Sequence, residues 1–443
     1  MNTRFLYWLG VAVLLMLMPF ATQAAPDGQD VLTLERALQI AMADNPALAQ
    51  AGARAEALAQ IPPQAGALPD PVLTLGALNY PTDTFSSTQE AMTQMQIGVG
   101  VTLPFPGKLG LREQAADLDA SSAKFDTDET RLVLARNVRI GWWNLFYLDR
   151  AIAIVQRNQD LLREFVKIAE AKYRTGQGMQ SDVLLAQVEL SKLLDSEISL
   201  HAARRAQAAI LNSLLGRSST ADITLPQDVD ESLPDAPDFA LLHDKALQER
   251  PLLSAQRSEL EAARTRVDLA KKDFYPDFKL GAAYGFRNGS NLNGSPRSNL
   301  ASITLSMNLP FIFESRPNHE LSQRRAEAMK EEYGLQDKTV QVDSGIEQAL
   351  ADYRAGRKQA LLFKTGIIPQ ASQTAEAMLA AYQVDKVDFL NLIRAQVNLY
   401  NYETQYWKAL SSSRQAWARL EAAVGQPLAQ QNAITDKENH HVQ

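Results

Sequence analysis

Four segments of the chain alternate apolar and polar residues with a period of two, the mark of a strand with two unlike faces. In Gln94–Leu103, one face carries Met95, Ile97, Val99, Val101 and Leu103, and the other Gln94, Gln96, Gly98, Gly100 and Thr102. Phe278–Arg287 sets Phe278, Leu280, Ala282, Tyr284 and Phe286 against Lys279, Gly281, Ala283, Gly285 and Arg287. Ala301–Leu309 sets Ala301, Ile303, Leu305, Met307 and Leu309 against Ser302, Thr304, Ser306 and Asn308. A fourth segment, Val72–Tyr80, follows more weakly through Leu73, Leu75 and Ala77. Strands are therefore expected at about 72–80, 94–103, 278–287 and 300–309. Each is about 9–11 residues long, the length of a tilted transmembrane strand.

Elsewhere the period changes to that of a helix. Leu132, Ala135, Val138, Trp142, Leu145, Leu148 and Ile152 recur on one face, and no proline lies between Pro106 and Pro226. Helical hairpins are expected at about 110–215 and about 317–424, with Pro369 marking a kink or break in the second. From Gly110 to Tyr173 the helix spans roughly 95 Å at 1.5 Å per residue. A rod of that length needs partner helices along its whole apolar stripe, as in a coiled coil.

The same series of motifs occurs twice. Asn45-Pro46 recurs as Arg250-Pro251 (250 − 45 = 205), Pro69-Asp70 as Pro276-Asp277 (276 − 69 = 207), and Leu103-Pro104-Phe105 as Leu309-Pro310-Phe311 (309 − 103 = 206). Tyr173 matches Tyr382 (382 − 173 = 209), Ala186-Gln187-Val188 matches Ala395-Gln396-Val397, and Leu215-Gly216 matches Val424-Gly425. This order predicts two equivalent halves, 25–216 and 239–425, joined by a linker over 217–238 and followed by a polar tail over 426–443.

Four amphipathic strands leave two open edges, and lipid cannot satisfy edge N–H and C=O groups. The sheet must then close with copies of itself. Two copies would make a barrel filled by its own side chains, whereas three would leave an open lumen lined by the polar, Gly-rich faces. Pro81–Ala91 and Asn288–Ser298 read as polar turns at one end of the strand pairs. Pro69, Pro71, Pro104, Pro106, Pro276 and Pro310 stop the strands at the other end.

The chain's start changes where such a barrel would sit. Arg4, the apolar run Phe5–Phe20 and Ala21-Thr22-Gln23-Ala24 read as a signal peptide over 1–24. Its removal takes away one positive charge and moves the net charge from −7 to −8. No later apolar run is long enough for a membrane-spanning helix. The chain has no cysteine, which excludes disulfides and a lipid anchor on an N-terminal cysteine. A mildly acidic chain without a basic patch is not a nucleic-acid binder.

Several motifs resemble the TolC family of outer-membrane efflux proteins over essentially the whole mature chain. They are Leu34-Glu35-Arg36-Ala37-Leu38 with Asn45-Pro46, Leu68-Pro69-Asp70-Pro71, Leu103-Pro104-Phe105-Pro106-Gly107-Lys108, Tyr173-Arg174-Thr175-Gly176 leading to Asp182-Val183-Leu184, and Ile368-Pro369-Gln370-Ala371. The resemblance implies a mainly α fold with a small membrane β part. Four transmembrane strands per chain would close as a twelve-stranded β-barrel in a homotrimer, above an α-helical tunnel that reaches through the periplasm. It implies a periplasmic adaptor and an inner-membrane RND-type pump as partners. The Asp-Pro strand start, the Pro-Gly-Lys junction and Pro369 resemble the branch serving cobalt–zinc–cadmium and copper–silver efflux, with drug efflux and type I protein secretion as alternatives.

The resemblance also places candidate sites. The turns Arg174–Ser181 and Gln383–Asp388 would form the periplasmic tip. Arg174, Thr175, Gly176, Gly178, Asp385 and Lys386 are the candidates for adaptor docking there. Gly176 and Gly178 allow a tight turn, and the second copy reads Asp385 and Val387, so the two turns are expected to differ. In the family, acidic side chains of the second hairpin ring the axis above the tip. The corresponding residues here are Asn391 and Arg394, neither acidic, while the first copy supplies Asp182 (391 − 182 = 209). An attractive Asp182–Arg394 pair between neighbouring hairpins is the expected gate.

No enzyme, cofactor or metal centre is expected. The histidines are His201, His243, His319, His440 and His441, without a helical i, i+4 pair, and no Gly-rich phosphate loop follows a strand. Met95 and Met307 fall on apolar strand faces, and Trp142-Trp143, Tyr400, Tyr402, Tyr406 and Trp407 read as wall packing. From another class, a soluble periplasmic coiled-coil scaffold would keep the rods and treat the strands as a small soluble sheet.

Overall fold

The computed structural model describes residues 31–310 and 315–428. The expected signal peptide, Phe311 and residues 429–443 of the tail, with His440 and His441, lie outside them. The first half runs α1 (Leu34–Asp44), α2 (Pro46–Ala59), α3 (Ile61–Gly66), β1 (Val72–Leu78), β2 (Gln94–Leu103), α4 (Lys108–Arg174) and α5 (Gln180–Leu214). The second runs α6 (Phe239–Glu249), α7 (Pro251–Lys272), β3 (Phe278–Phe286), β4 (Leu300–Met307), α8 (Ser315–Leu362), a π-helical turn (Phe363–Ile367), α9 (Ile368–Gln383) and α10 (Phe389–Val424). Among the described residues no helix is long and apolar enough to cross a membrane.

The strands form one antiparallel sheet in the order β1-β2-β3-β4. Its register brings the apolar positions into line. Leu73 faces Val99, Val99 faces Ala282, and Ala282 faces Ile303, while Val101, Leu280 and Leu305 form the next row. The polar positions stack likewise, with Thr102 beside Lys279 and Lys279 beside Ser306. Three strands end sooner than the alternation predicts, because polar side chains take over the backbone. Asn79 turns left-handed at φ 59° and its amide reaches the Met92 carbonyl at 3.1 Å. The Arg287 N–H donates to Asn299 Oδ1 at 3.0 Å, and the Asp277 N–H to Asn308 Oδ1 at 2.6 Å.

Below the sheet the helices pack side by side in the neighbour order α5, α4, α10, α8. Helix α4 is a single rod of 67 residues, about 100 Å long at 1.5 Å per residue. The second half is broken where Pro369 stands. Proline lacks an N–H and its ring clashes with the preceding turn, and the π-helical turn just before it absorbs the misfit. The rods also extend end to end. The α5 end runs into α2 at Gly216, where a Cβ would lie 2.6 Å from the Asp44 carbonyl oxygen. The α10 end runs into α7 at Gly425, where a Cβ would lie 2.8 Å from Arg250 Cα. Both glycines are left-handed, at φ 68° and 96°, so only glycine closes these joints without strain.

Buried residues at mid-height hold the helices together. Val138, Trp142, Leu145 and Phe146 of α4 pack with Ala37, Ala41, Leu211 and Leu215 in one cluster. Ile346, Leu350, Tyr353, Trp417 and Leu420 form its counterpart in the second half. Trp142 stacks on Phe146 at 5.5 Å, and Phe146 meets Trp407 at 5.7 Å. Residues 217–238 lie across both clusters as an extended strap. Arg204 holds the Ile223 carbonyl at 2.9 Å, the Tyr353 hydroxyl donates to the Pro234 carbonyl at 2.5 Å, and Tyr406 donates to Glu231 at 2.5 Å. Burial pushes the Tyr353 phenol up to about 12.

One buried lysine ties sheet to rods. Lys108, at the start of α4, is 2% exposed and lies 3.0 Å from Asp273 and 2.9 Å from Asp277, which come from the second half. Asp277 also accepts the Phe105 N–H at 2.8 Å, and Phe105 stacks on Tyr275 at 4.5 Å. Burial alone would raise the Asp277 carboxyl, but the Phe105 amide and the Lys108 ammonium outweigh it and hold the group below its ordinary value.

Two outcomes follow from this architecture. Leu305→Arg, in the apolar row, will abolish the heat-modifiable trimer band on unboiled gels, at a cost of roughly 2–4 kcal/mol per site. Ser306→Glu, beside Lys279, will leave the band intact; equal assembly of both variants would contradict the register. At the junction, Lys108→Ala will destabilise the protein by about 2–3 kcal/mol per protomer, read by thermal melting in detergent. The Asp277 contribution is fully present above the unfolded carboxyl value of about 3.9 and is lost as pH falls through the lower folded value. Asp277→Asn will therefore lower the melting temperature at pH 7 and flatten its fall below about pH 4.

Candidate functional site

The site has two parts, a lipid-facing sheet and a two-hairpin tip. On the sheet, Ile303 is 85%, Leu75 73% and Leu305 64% exposed, side chains that water would not leave bare on a soluble face of this size. Met95 and Met307 belong to the same band, opposite Phe286 and Phe278. The other face carries Thr74, Gln96, Thr102, Ser302, Thr304 and Ser306 with one cation, Lys279. The outer edges of β1 and β4 have no strand partner among the described residues.

At the far end of the rods the two hairpins meet. Leu162, Phe165 and Ala169 of α4 and Ala186 of α5 pack against Tyr382 of α9 and Phe389, Leu392 and Ile393 of α10. Buried Asn158 accepts from Gln396 at 2.9 Å, joining α4 to α10. The turns that cap the hairpins share a left-handed residue and one turn hydrogen bond. They differ two residues on, where the Gly178 N–H also reaches the Lys172 carbonyl at 3.1 Å and a Cβ would lie 2.9 Å from that of Lys172, whereas the second turn carries Val387. Gly176 is left-handed at φ 72°, and Asp385 at φ 58°. The Gln177 N–H reaches the Lys172 carbonyl at 2.9 Å, and the Lys386 N–H reaches that of Ala381 at 2.9 Å. Asp is among the few residues that tolerate this conformation, so the aspartate can take the glycine's left-handed position. The entry to the next helix also differs, where Asp388 caps the Asn391 N–H at 2.9 Å while Met179 caps nothing.

The expected Asp182–Arg394 pair is not formed within the protomer. Arg394 and Asn391 are exposed, and Asp182 is half-buried toward Tyr382, whose phenol is raised by burial first and then by Asp182 and Asp385. Asp182 opens α5, whereas Arg394 lies more than a turn into α10 on its outward face, so the two helix phases keep them apart. The cross-hairpin cation is instead Lys172. It pairs with Asp385, donates to the Tyr382 carbonyl at 3.0 Å and lies 4.6 Å from the Tyr382 ring centre. Lys172 sits 213 residues from Asp385, and only the matched turn positions hinted that they meet. Arg174, Thr175, Gly176, Gly178 and Lys386 lie at the surface of the turns beside this pair.

Two of the three described histidines have carboxylate neighbours, His243 with Asp343 at 2.7 Å and His201 with Glu197 at 3.6 Å, while His319 of α8 is exposed. Trp142, Trp143 and Tyr406 are buried in the packing between helices.

The sequence matches the family described as "Outer membrane efflux protein" over residues 37–217 and over residues 242–426. It is similar to the cobalt-zinc-cadmium resistance protein CzcC of Cupriavidus metallidurans, at 24% identity over 398 residues, covering 89% of this chain and 90% of that protein. It is also similar to the alkaline protease secretion protein AprF of Pseudomonas aeruginosa, at 23% identity over 283 residues, covering 62% of this chain and 57% of that protein. Its fold is that of the outer membrane protein VceC of Vibrio cholerae, with a TM-score of 0.74 at 19% identity, covering 89% of this chain and 96% of that one. In this architecture, three open four-stranded sheets close as a twelve-stranded barrel above a periplasmic helical tunnel, which excludes the soluble scaffold and makes the chain a non-enzymatic duct. The two matched halves, the open amphipathic sheet and the long paired hairpins agree, and the chain belongs to the TolC family of outer-membrane efflux channels.

Proposed function

We propose that this duct carries heavy-metal cations of the zinc, cobalt and cadmium type, as the outer-membrane part of a tripartite pump with a periplasmic adaptor and an inner-membrane RND-type transporter. The observation that carries this reading is the likeness to the cobalt-zinc-cadmium resistance protein, which runs through nine-tenths of both chains. The likeness to the protease secretion protein covers barely more than half of that relative. A wall of Thr, Ser and Gln side chains suits hydrated ions, which need no resident ligand set to pass. Deleting the gene in its host will lower tolerance to Zn²⁺, Co²⁺ or Cd²⁺ several-fold, and the wild-type gene will restore it. Unchanged metal tolerance together with a secreted protein held back in the cells would sink the metal cargo and leave protein secretion.

The same reading assigns the tip. Arg174, Thr175, Gly176, Gly178, Asp385 and Lys386 form the docking surface for the adaptor, and the Lys172–Asp385 pair keeps the two hairpins of each protomer together in the closed state. Asp182, Asn391 and Arg394 stand just above it, where contacts between protomers would form the constriction. The Lys172–Asp385 pair is partly wet and is worth at most about 1 kcal/mol per protomer, which a docking partner can overcome. Lys172→Met and Asp385→Asn will each raise single-channel conductance in planar bilayers, and the double variant will exceed neither. Asparagine keeps the left-handed turn, so loss of the fold does not confuse the result. Additive effects would show that the two residues act separately.

A further inference from the structure

We propose that the cavity at the joint between α10 and α7 binds a small soluble oxyanion of the phosphate class, held by Arg136, Arg250 and Arg419 at the N-terminus of α7. The cavity has a volume of about 320 Å³ and lies among α4, α7, α8 and α10. Its polar lining is Arg136, Arg250, Arg419, Gln341, Gln348 and Asp352.

A comparison of the two halves shows what is missing there. At the equivalent joint of the first half, Asn45 accepts the N–H groups of Ala47 and Leu48 at 3.0 and 3.1 Å and donates to the Leu214 carbonyl at 2.9 Å. That helix start is fully capped. In the second half the residue is Arg250, and α7 has no side-chain cap. An arginine has no acceptor to offer, so the Leu252 amide, the counterpart of Ala47, has no side-chain cap, and Leu252 lines the cavity. A 22-residue helix beginning there points its positive end at the space.

The arginines are also under-supplied with anions. Arg250 is 8% exposed; one Nη meets Glu129 at 2.6 Å, yet its Nε has no partner among the described residues. Arg136 reaches the Asn137 amide oxygen at 3.1 and 3.0 Å and, among the described residues, pairs directly with no carboxylate, although Glu129 is near enough to act on its charge. Arg419 has Asp352 at 3.5 Å. Three guanidiniums thus face two carboxylates, a local excess of 3 − 2 = +1 before the helix end is counted. Burial first, then neighbouring Arg250, pushes the Arg136 pKa down, against the opposing pull of Glu129. An oxyanion would accept the forked donors of the arginines that line the cavity.

The position selects the source of the anion. The 22 residues of α7 place this joint about 33 Å below the sheet at 1.5 Å per residue. Lipid headgroups at the barrel cannot reach it, so the ligand is a soluble ion of the periplasm. Bound there, it would stitch together four helices at the end-to-end joint whose first-half counterpart is capped by Asn45.

The detergent-solubilised trimer tests this by thermal melting against inorganic phosphate, with chloride at matched ionic strength as the reference. Phosphate will raise the melting temperature saturably and chloride will not. Arg250→Asn restores the cap used by the first half, and will increase the half-saturating phosphate concentration by about tenfold or more. Arg419→Gln, at the open rim, will increase it less, and serves if Arg250→Asn fails to assemble. A wild-type response that does not saturate or that chloride matches, or half-saturation unchanged in the variants, overturns the site.

Discussion

The structure depends on two strand edges that nothing among the described residues covers. β1 and β4 each leave one row of backbone groups unpaired, on a sheet whose outer face is a continuous apolar band. In hydrocarbon each such group costs several kcal/mol, so the protomer cannot enter the membrane alone. The helices repeat the problem in a milder form. α5 and α8 stand at the two sides of the helical row, and α5 exposes Leu184, Val188 and Ile198 while α8 exposes Met329, Tyr333 and Val340. The strand order and the helix order run in parallel, so each protomer is a wedge with the same two unfinished sides from barrel to tunnel. Copies that close the barrel close the tunnel as well.

That constraint explains where the internal bonding is concentrated. A wedge that is locked into a ring at its sheet must transmit the same orientation to rods about 100 Å long. Lys108 does this at the neck by joining the start of α4 to the approach of β3, so neither half can tilt without breaking a buried ion pair. At mid-height the strap of residues 217–238 crosses both hydrophobic clusters and fixes them through Arg204, Tyr353, Arg357 and Tyr406. The end-to-end joints at Gly216 and Gly425 let short helices continue long ones, which lengthens the rods without lengthening the chain's path.

What the sequence made legible were the local periods and the repeat. Strand faces follow from a period of two and needed no partner to be read, and the register aligned all four. Pro369 announces its own distortion, because a missing N–H must be absorbed nearby. Strand ends were misjudged by one to two residues, since Asn79, Asn299 and Asn308 end pairing through side-chain hydrogen bonds that periodicity does not register. Lys108 with Asp277 and Lys172 with Asp385 were out of reach for a different reason. Their partners are 169 and 213 residues away, and only the packing of one half on the other brings them together. Asp182 and Arg394 do not pair within the protomer, and whether neighbouring hairpins bring them together depends on the rotational phase of two helices, which a repeat alignment does not supply.

The two ends of the molecule therefore work on different energy scales. At the barrel, every unmet backbone group and every polar side chain on the lipid face costs kilocalories, so the ring is either closed or absent. At the tip, the contacts that join the hairpins are a half-wet ion pair, a lysine over a tyrosine ring and a modest apolar cluster. Such pairs contribute about 1 kcal/mol or less each in wet surroundings. The first hairpin is stiffened by an unbroken α4, while the second carries its π-helical turn between the strap and the tip. Bending is thus confined to one hairpin of each protomer, at a level where Lys364 and Tyr406 hold it to Glu231 of the strap. A duct built this way keeps its ring intact while its lower end changes shape, because the interactions that hold the ring are not the ones that hold the tip.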